Sequence, residues 1–249
     1  MKTLVLLGGM TPDVTSLYYN IINNHIRRRL GASRSARIYI YSVDLESQLQ
    51  RVKDNDWSAF ANEYIDAMRP LVQPSVASSS SMGVFLGAII AHKVSKQISS
   101  QLPVHIPFLD VTDFLAVEIK AKGISRVGLI GPKPTMIDDS PDFFRGKLTS
   151  THGVEVIIPE TQAELDEVNR GMFEEVVKGK DAVTSQTKQM FMDAANKLIE
   201  RGAQGLILGS TDLGFVLDQQ DFEERGVSVF DAAKIHAVGV AEWALQDDD

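Results

Sequence analysis

Two pairs of strand-like motifs recur at almost one spacing along this chain, and that repeat constrains its fold more than any other feature. Leu4-Val-Leu-Leu-Gly-Gly9 returns as Val127-Gly-Leu-Ile-Gly-Pro132, an offset of 123 residues (127 − 4). Gly83-Val-Phe-Leu-Gly-Ala88 returns as Gly205-Leu-Ile-Leu-Gly-Ser210, an offset of 122 (205 − 83). One such echo is commonplace in an α/β protein, whose buried parallel strands all draw on Val, Ile and Leu. Two in register imply an internal duplication. The simplest account is two similar α/β halves, each with two strands that end in glycine.

Short apolar runs alternate with longer amphipathic stretches, the pattern of parallel sheets flanked by helices. It predicts strands at 3–8, 37–43, 83–88, 105–109, 126–130, 154–158, 205–209 and 228–230. Helices are expected at 58–73, 90–100, 111–122, 160–178, 185–201 and 232–245. Another follows Thr11-Pro12-Asp13, with Thr11 as N-cap and Pro12 at the first helical position. The serine-rich stretch 75–81 cannot build a core strand; it reads as a loop, or as an active-site loop that uses its hydroxyls. The acidic end, 247–249, reads as frayed. Ligands of open parallel sheets sit beyond the carboxyl ends of the strands, and glycine there permits a sharp turn or a close approach. Facing halves would gather residues 8–11, 88–92, 131–136 and 209–212 around one cleft. Singly, each glycine needs no more than a tight turn; together they mark a site.

The length of 249 residues suits one large domain or two small ones sharing a core, and 44% apolar content is enough to fill it. No apolar run approaches the ~20 residues of a membrane span, and no basic-then-apolar leader opens the chain. A cytoplasmic protein with no membrane partner is expected. The net charge of −8 argues against a nucleic-acid partner. The one basic cluster, Arg27-Arg28-Arg29, closes a helix, where cations complement the dipole. There is no cysteine, hence no disulfide and no thiolate metal site. His25, His92, His105, His152 and His236 show no metal-ligand spacing. Neither a metal nor any other cofactor is expected.

Six segments then carry a resemblance. They are Leu7-Gly-Gly-Met-Thr11, Tyr41-Ser-Val-Asp44, His92-Lys-Val94, Phe143-Phe-Arg-Gly-Lys-Leu148 followed by His152-Gly153, Leu208-Gly-Ser-Thr-Asp212, and Phe230-Asp231 with Ile235-His-Ala237. In kind and order they resemble the aspartate/glutamate racemases over essentially the whole chain. The resemblance implies two pseudo-symmetric Rossmann-like halves with parallel sheets and a cleft between them, residues 1–102 plus 212–249 forming one half and 103–211 the other. It implies catalysis without a cofactor, a small carboxylate-bearing substrate and a homodimer. In that family each half offers one residue, usually cysteine, to opposite faces of the substrate; a subgroup has threonine in the first half. One residue removes the α-proton while the other delivers a proton.

Both positions depart here. The Leu208 motif puts Ser210 where the second cysteine belongs, and the repeat puts Ala88 at its partner. Ile89 and Ile90 follow, where the family has asparagine and threonine, so an apolar wall replaces the polar contacts. Exchanging a thiol of pKa ~8.5 for an alcohol near ~15.7 makes forming the anionic base costlier by on the order of 10 kcal/mol. Ordinary two-thiol racemisation is therefore not expected.

The remaining acid–base candidates are Ser210, Asp212 and His92, with Asp212 alternatively capping the next helix. Gly9, Met10 and Thr11 in the first loop, Thr211 at a helix N-terminus and Thr135 in the echoed loop could bind a carboxylate, as could Lys133 beside it. Arg145 could clamp one, or form a surface ion pair. His236, like His92, falls in a matched motif, where helix-end hydrogen bonding is the other reading, and Asp44 could point into the cleft. Ala88, Ile89 and Ile90 would line the less polar side of the substrate. Three functions fit. The first is a cofactor-independent isomerase-like enzyme repurposed for isomerisation, decarboxylation or cyclisation of a carboxylate. The second is a catalytically inactive ligand-binding or regulatory homologue. The third is an amino-acid racemase in which Ser210 replaces a cysteine by engineering.

Overall fold

A computed structural model describes residues 1–31, 33–72 and 81–246. The serine-rich stretch up to residue 80 and the acidic end at 247–249 lie outside the described residues. The chain is α/β and divides into two compact units, Met1–Asp110 with His236–Asp249, and Val111–Ile235.

The first unit holds β1 (Thr3–Gly8), β2 (Arg37–Ser42) and β3 (Met82–Leu86), all parallel, in the order β2-β1-β3. The second holds β4 (Arg126–Ile130), β5 (Glu155–Ile157), β6 (Gly205–Leu208) and β7 (Ser228–Asp231), again parallel, in the order β5-β4-β6-β7. The first three strands of each unit thus repeat one topology, and the duplication reaches individual contacts. Gly87 N–H donates to Leu7 O at 2.9 Å, and Gly209 N–H donates to Ile130 O at 2.7 Å. A Cβ at Gly87 would lie 2.8 Å from Leu6 Cδ1, and one at Gly209 would lie 2.4 Å from Leu129 Cδ1. In each half the strand-end glycine makes room for a leucine of the neighbouring strand.

β1 is buried throughout because it is central. Helix α1 (Pro12–Leu30) follows it and buries Val14, Tyr18, Ile22 and Ile26, one stripe at a spacing of four residues. Its first turn holds proline and its last turn Arg27, Arg28 and Arg29, as expected. Thr11 occupies the N-cap place without a side-chain cap bond. Thr15 does the work instead: its Oγ1 accepts from Gly9 N–H at 2.9 Å and donates to Thr11 O at 3.3 Å.

Other elements depart from the sequence expectation. Residues 105–109 form no strand; Phe108 makes a single parallel bridge to Val84, since Pro107 cannot donate to a ladder. The helix expected at 90–100 is a 3₁₀ turn, Ile90–Val94, followed by the short α4 (Ser95–Ser99). Helix α2 (Leu45–Lys53) was not anticipated; α3 (Trp57–Met68) follows it. α2 starts because Asp44 caps it, accepting from Ser47 N at 2.9 Å and Ser47 Oγ at 2.7 Å. Those bonds hold the Asp44 carboxyl below its ordinary range. Asp44 is exposed and serves as a cap. β2 is also unexpected in its surroundings, since Tyr39, Ile40 and Tyr41 are all exposed.

The second unit places α5 (Val111–Ala121), α8 (Gln162–Glu174) and α9 (Ser185–Glu200) near their predicted positions. It adds the short α6 (Lys133–Ile137) and α7 (Phe144–Ser150) in stretches that read as loop. α10 (Ala232–Leu245) begins in this unit, and its residues from His236 onward belong to the first. There Ala244 O accepts from Lys2 N–H at 2.8 Å, and Trp243 packs on Gly83, where a Cβ would come within 2.6 Å of the ring. Among the described residues no helix is long and apolar enough to cross a membrane.

Candidate functional site

The loop after β1 is built on its second glycine. Gly9 has φ +101, and a Cβ there would lie 2.2 Å from Val43 N and 2.4 Å from Val43 O. Val43 N–H in turn donates to Gly8 O at 3.1 Å, stitching the ends of β1 and β2 together. Met10 is buried against this unit's core, and Thr11 is part-buried. After β3, Ala88 and Ile89 are buried and Ile90 is partly so. The apolar character read from the sequence is therefore also the local environment.

His92 and His236 are brought together, with ring centroids 5.5 Å apart and ring planes inclined at 66°. His92 Nδ1 lies 3.0 Å from Ala88 O, and His236 Nε2 lies 2.9 Å from Leu109 O. A carbonyl only accepts, so each of these nitrogens carries a proton. His236 Nδ1 is then the acceptor for the Tyr18 hydroxyl, 3.0 Å away. Complete burial pushes the His236 pKa down to about 3, helped by the neighbouring His92 and opposed by the Leu109 bond and Asp110. His236 is thus a neutral imidazole that ties α1, α10 and the Leu109 loop together, both ring nitrogens engaged by protein groups. Tyr18 was missed by sequence reasoning because its partner lies 218 residues away. Gln48 was missed as well. It is fully buried in α2 with an unpartnered Oε1, and nothing in the local pattern sets it apart.

In the second unit, β6 delivers Ser210, Thr211 and Asp212, all buried, into the turn that follows it. Gly131 and Gly209 let the loops after β4 and β6 touch, since a Cβ on Gly131 would lie 2.7 Å from Gly209 O. Asp212 N–H points to Ser210 Oγ, and Thr211 Oγ1 to Asp212 Oδ2, each at 3.4 Å. Both contacts are beyond the usual hydrogen-bond range. Asp212 precedes the 3₁₀ turn Leu213–Phe215 and makes no side-chain cap bond to it.

Thr135, in α6, is 0% exposed and its hydroxyl has no hydrogen-bond partner. An orphaned buried hydroxyl costs ~1–3 kcal/mol, and such a cost marks a group held for something else. Thr135→Val is therefore expected to leave stability in urea unfolding unchanged, or raise it by up to about 1 kcal/mol. A loss larger than about 1 kcal/mol would mean that the hydroxyl is bonded after all. Arg145 Nη1 donates to Met136 O at 3.1 Å, anchoring α7 to α6, and no carboxylate pairs with it among the described residues. Lys133 is engaged by Asp166 at 2.7 Å. Gly146 explains the glycine of the Phe143–Leu148 motif, because a Cβ there would lie 2.0 Å from Ser140 O.

The candidate residues divide between the two units. Gly9, Met10, Thr11, Ala88, Ile89, Ile90, His92 and His236 belong to the first; Thr135, Arg145, Ser210, Thr211 and Asp212 belong to the second. Among the described residues no group of three or more His, Cys, Asp or Glu side chains could hold a metal ion.

Known proteins share this organisation. The model of the Asp/Glu/Hydantoin racemase family matches residues 7–240. A candidate Asp/Glu racemase from Yersinia pestis is 33% identical, with a TM-score of 0.85, over 99% of this chain and 100% of that one. An aspartate racemase homologue from Pyrococcus horikoshii is 28% identical, with a TM-score of 0.77, over 99% of this chain and 100% of that one. The aspartate racemase of Picrophilus torridus shares the fold at 18% identity and a TM-score of 0.68, over 100% of this chain and 96% of that one. With the duplicated sheets and the strand-end loops already in place, a match across nearly its whole length makes this chain a member of the Asp/Glu/Hydantoin racemase family.

Proposed function

We propose that this protein is a cytoplasmic, cofactor-independent enzyme that performs one-sided acid–base chemistry on a small carboxylate: isomerisation, decarboxylation or cyclisation. The observation that carries this reading is the buried Ser210–Thr211–Asp212 trio in the turn after β6. The positions equivalent to the trio in the first unit are Ala88, Ile89 and Ile90, which hold no titratable group. Asp212 is the proton-transfer group, being far more basic than the Ser210 hydroxyl in the accessible pH range. Ser210, Thr211 and the unpartnered Thr135 hydroxyl supply hydrogen bonds to the substrate, and Arg145 supplies positive charge. The apolar side chains at 88–90 support a substrate less polar than aspartate.

A second reading, a binding protein without turnover, is favoured by one fact: neither Ala88 nor Ser210 can cycle a proton near neutral pH. Incubation with mono- and dicarboxylates and amino acids in D2O, after a thermal-shift screen, separates the two. Deuterium should enter a stabilising ligand, and Asp212→Asn should slow that entry by about 10²-fold or more. A ligand that stabilises the protein yet stays unlabelled would instead establish the binder. Ser210→Cys is expected to raise α-proton exchange of a bound amino acid at least ~10-fold, because a thiol near pKa ~8.5 replaces an alcohol. Equal exchange by both proteins would remove position 210 from the chemistry, and exchange restored to a racemase level would favour an ancestral cysteine there.

A further inference from the structure

We propose that Asp231 positions the turn that carries Ser210, Thr211 and Asp212, by seating its carboxylate against Gly214. This role rests on the reading of Asp212 as the proton-transfer group, and it accounts for the Phe230-Asp231 motif, which that reading leaves unused.

The turn is bonded into one piece. Ser210 O accepts from Leu213 N–H at 3.3 Å, and Asp212 O accepts from Phe215 N–H at 3.0 Å. Leu213 O accepts from the N–H groups of Val216 and Leu217 at 2.9 and 3.0 Å. Gly214 sits in the middle of these bonds, so whatever holds it holds Asp212 as well. The two contacts among the trio's side chains, at 3.4 Å, are too long to do so.

Asp231 is a fixed post. It ends β7 in register with Leu208, two residues before Ser210. β7 bonds to β6 on one side. On the other side the Gln219 amide stands in for a strand, accepting from Val229 N–H at 2.8 Å and donating to Val227 O at 3.0 Å. The Asp231 carboxylate is then held at both oxygens. Oδ1 accepts from Lys234 N–H at 3.0 Å, capping α10, and Oδ2 accepts from Lys234 Nζ at 2.8 Å.

That carboxylate lies on Gly214. A Cβ there would be 2.4 Å from Asp231 Oδ2 and 3.6 Å from Lys234 Nζ. Gly214 is not among the glycines with positive φ, so its backbone would accept alanine, and the contact is what requires glycine. Asp231 could swing aside only by giving up its cap bond and its ion pair. A cap alone would be served as well by serine, which has no need of a bare Cα at 214.

A size exchange tests the contact. Asp231→Ser keeps a capping oxygen but withdraws Oδ2, and Gly214→Ala refills the space. Asp231 Cγ, whose place the serine oxygen would take, lies 3.3 Å from that Cβ, close to ordinary contact. The chain has no cysteine, so Ser210→Cys supplies a single thiol on the turn, at a buried position. Its alkylation by iodoacetamide needs no substrate. Rates are compared on the high-pH plateau, where the thiol is fully ionised and the lost Asp231 charge cannot act through its pKa.

In that background Gly214→Ala and Asp231→Ser should each speed alkylation ~10-fold or more, with circular dichroism retained. The two together should return to within ~3-fold of the Ser210→Cys protein, the non-additivity expected of residues in contact. Effects that add in the double variant, or no effect of Gly214→Ala, would overturn the proposal. If Gly214→Ala alone does not fold, the double variant must fold, or the proposal fails. Exchange of the L-aspartate α-proton in D2O by the same proteins reads the function separately. It should fall ~10-fold with Gly214→Ala at an unchanged KM and recover in the double variant. Exchange untouched by Gly214→Ala would overturn the proposal too, whereas rescued alkylation with no exchange in any variant would count against the proton-transfer reading and not against the contact.

Discussion

Replacing Gly9 by alanine is expected to destabilise the protein by about 3–5 kcal/mol, a large share of the ~5–15 kcal/mol that holds a typical domain together. Two effects add. The backbone at φ +101 is strained for any residue with a Cβ. That Cβ would also sit 2.2 Å from Val43 N and 2.4 Å from Val43 O, backbone atoms that move only if the link between β1 and β2 is broken. Relief would cost the Val43–Gly8 bond at 3.1 Å and the Gly9–Thr15 bond at 2.9 Å, each worth about 1 kcal/mol. Gly179 separates the two contributions, since its φ is +97 and nothing lies within 4 Å of a Cβ there. Gly179→Ala should therefore lose only the backbone part, ~1–2 kcal/mol. Urea unfolding of the two variants side by side decides the matter, and equal losses would show that Val43 yields easily.

A second large effect should come from pH alone. His236 is neutral in the folded protein, its pKa pushed down to about 3 chiefly by burial; in the unfolded chain it titrates near ~6.5. Below that value the unfolded state binds a proton that the folded state refuses, so the stability present above pH ~6.5 drains away as the pH falls toward ~3. Between pH 7.5 and 5 the loss should be about 2 kcal/mol, in a window where carboxylates contribute little. Carried through to pH ~3 it would approach the order of 5 kcal/mol. His236→Gln keeps a donor for Leu109 O and an acceptor for Tyr18 but cannot titrate. Whatever its absolute stability, its unfolding free energy should be flat across the same window. A slope as steep as that of the parent protein would assign the proton uptake to another group.

The parts of this fold that were legible in the sequence are those set by local pattern. Buried strands such as Thr3–Gly8 announced themselves as apolar runs, and the glycines at 87 and 209 were visible as an echo. What the echo meant was not: it is a leucine of the neighbouring strand, and a strand-to-strand contact leaves no trace in either segment alone. α6 was obscured by the prolines at 132 and 134, which read as loop although a proline in a first turn is harmless. α2 was lost because Asp44 was weighed as a ligand group when it was a cap. For the candidate site, the trio at 210–212 followed from the repeat. The hydroxyl of Thr135 could not, because an unmet hydrogen bond is a property of the surroundings. The exposure of β2 ran against its sequence, since Ile-Tyr-Ile-Tyr reads as interior.

The first unit is made from the two extremes of the chain, 1–110 and 236 onward, whereas the second is one unbroken stretch. As the polypeptide leaves the ribosome, the second unit has all its residues while the first still lacks His236 and the helix that receives Lys2. Tyr18 must wait 218 residues for its partner, and closing so long a loop is slow. A nascent chain stalled near residue 235 should therefore resist protease through its middle and be cut readily in its first hundred residues, the reverse of the usual N-terminal-first order of synthesis-coupled folding.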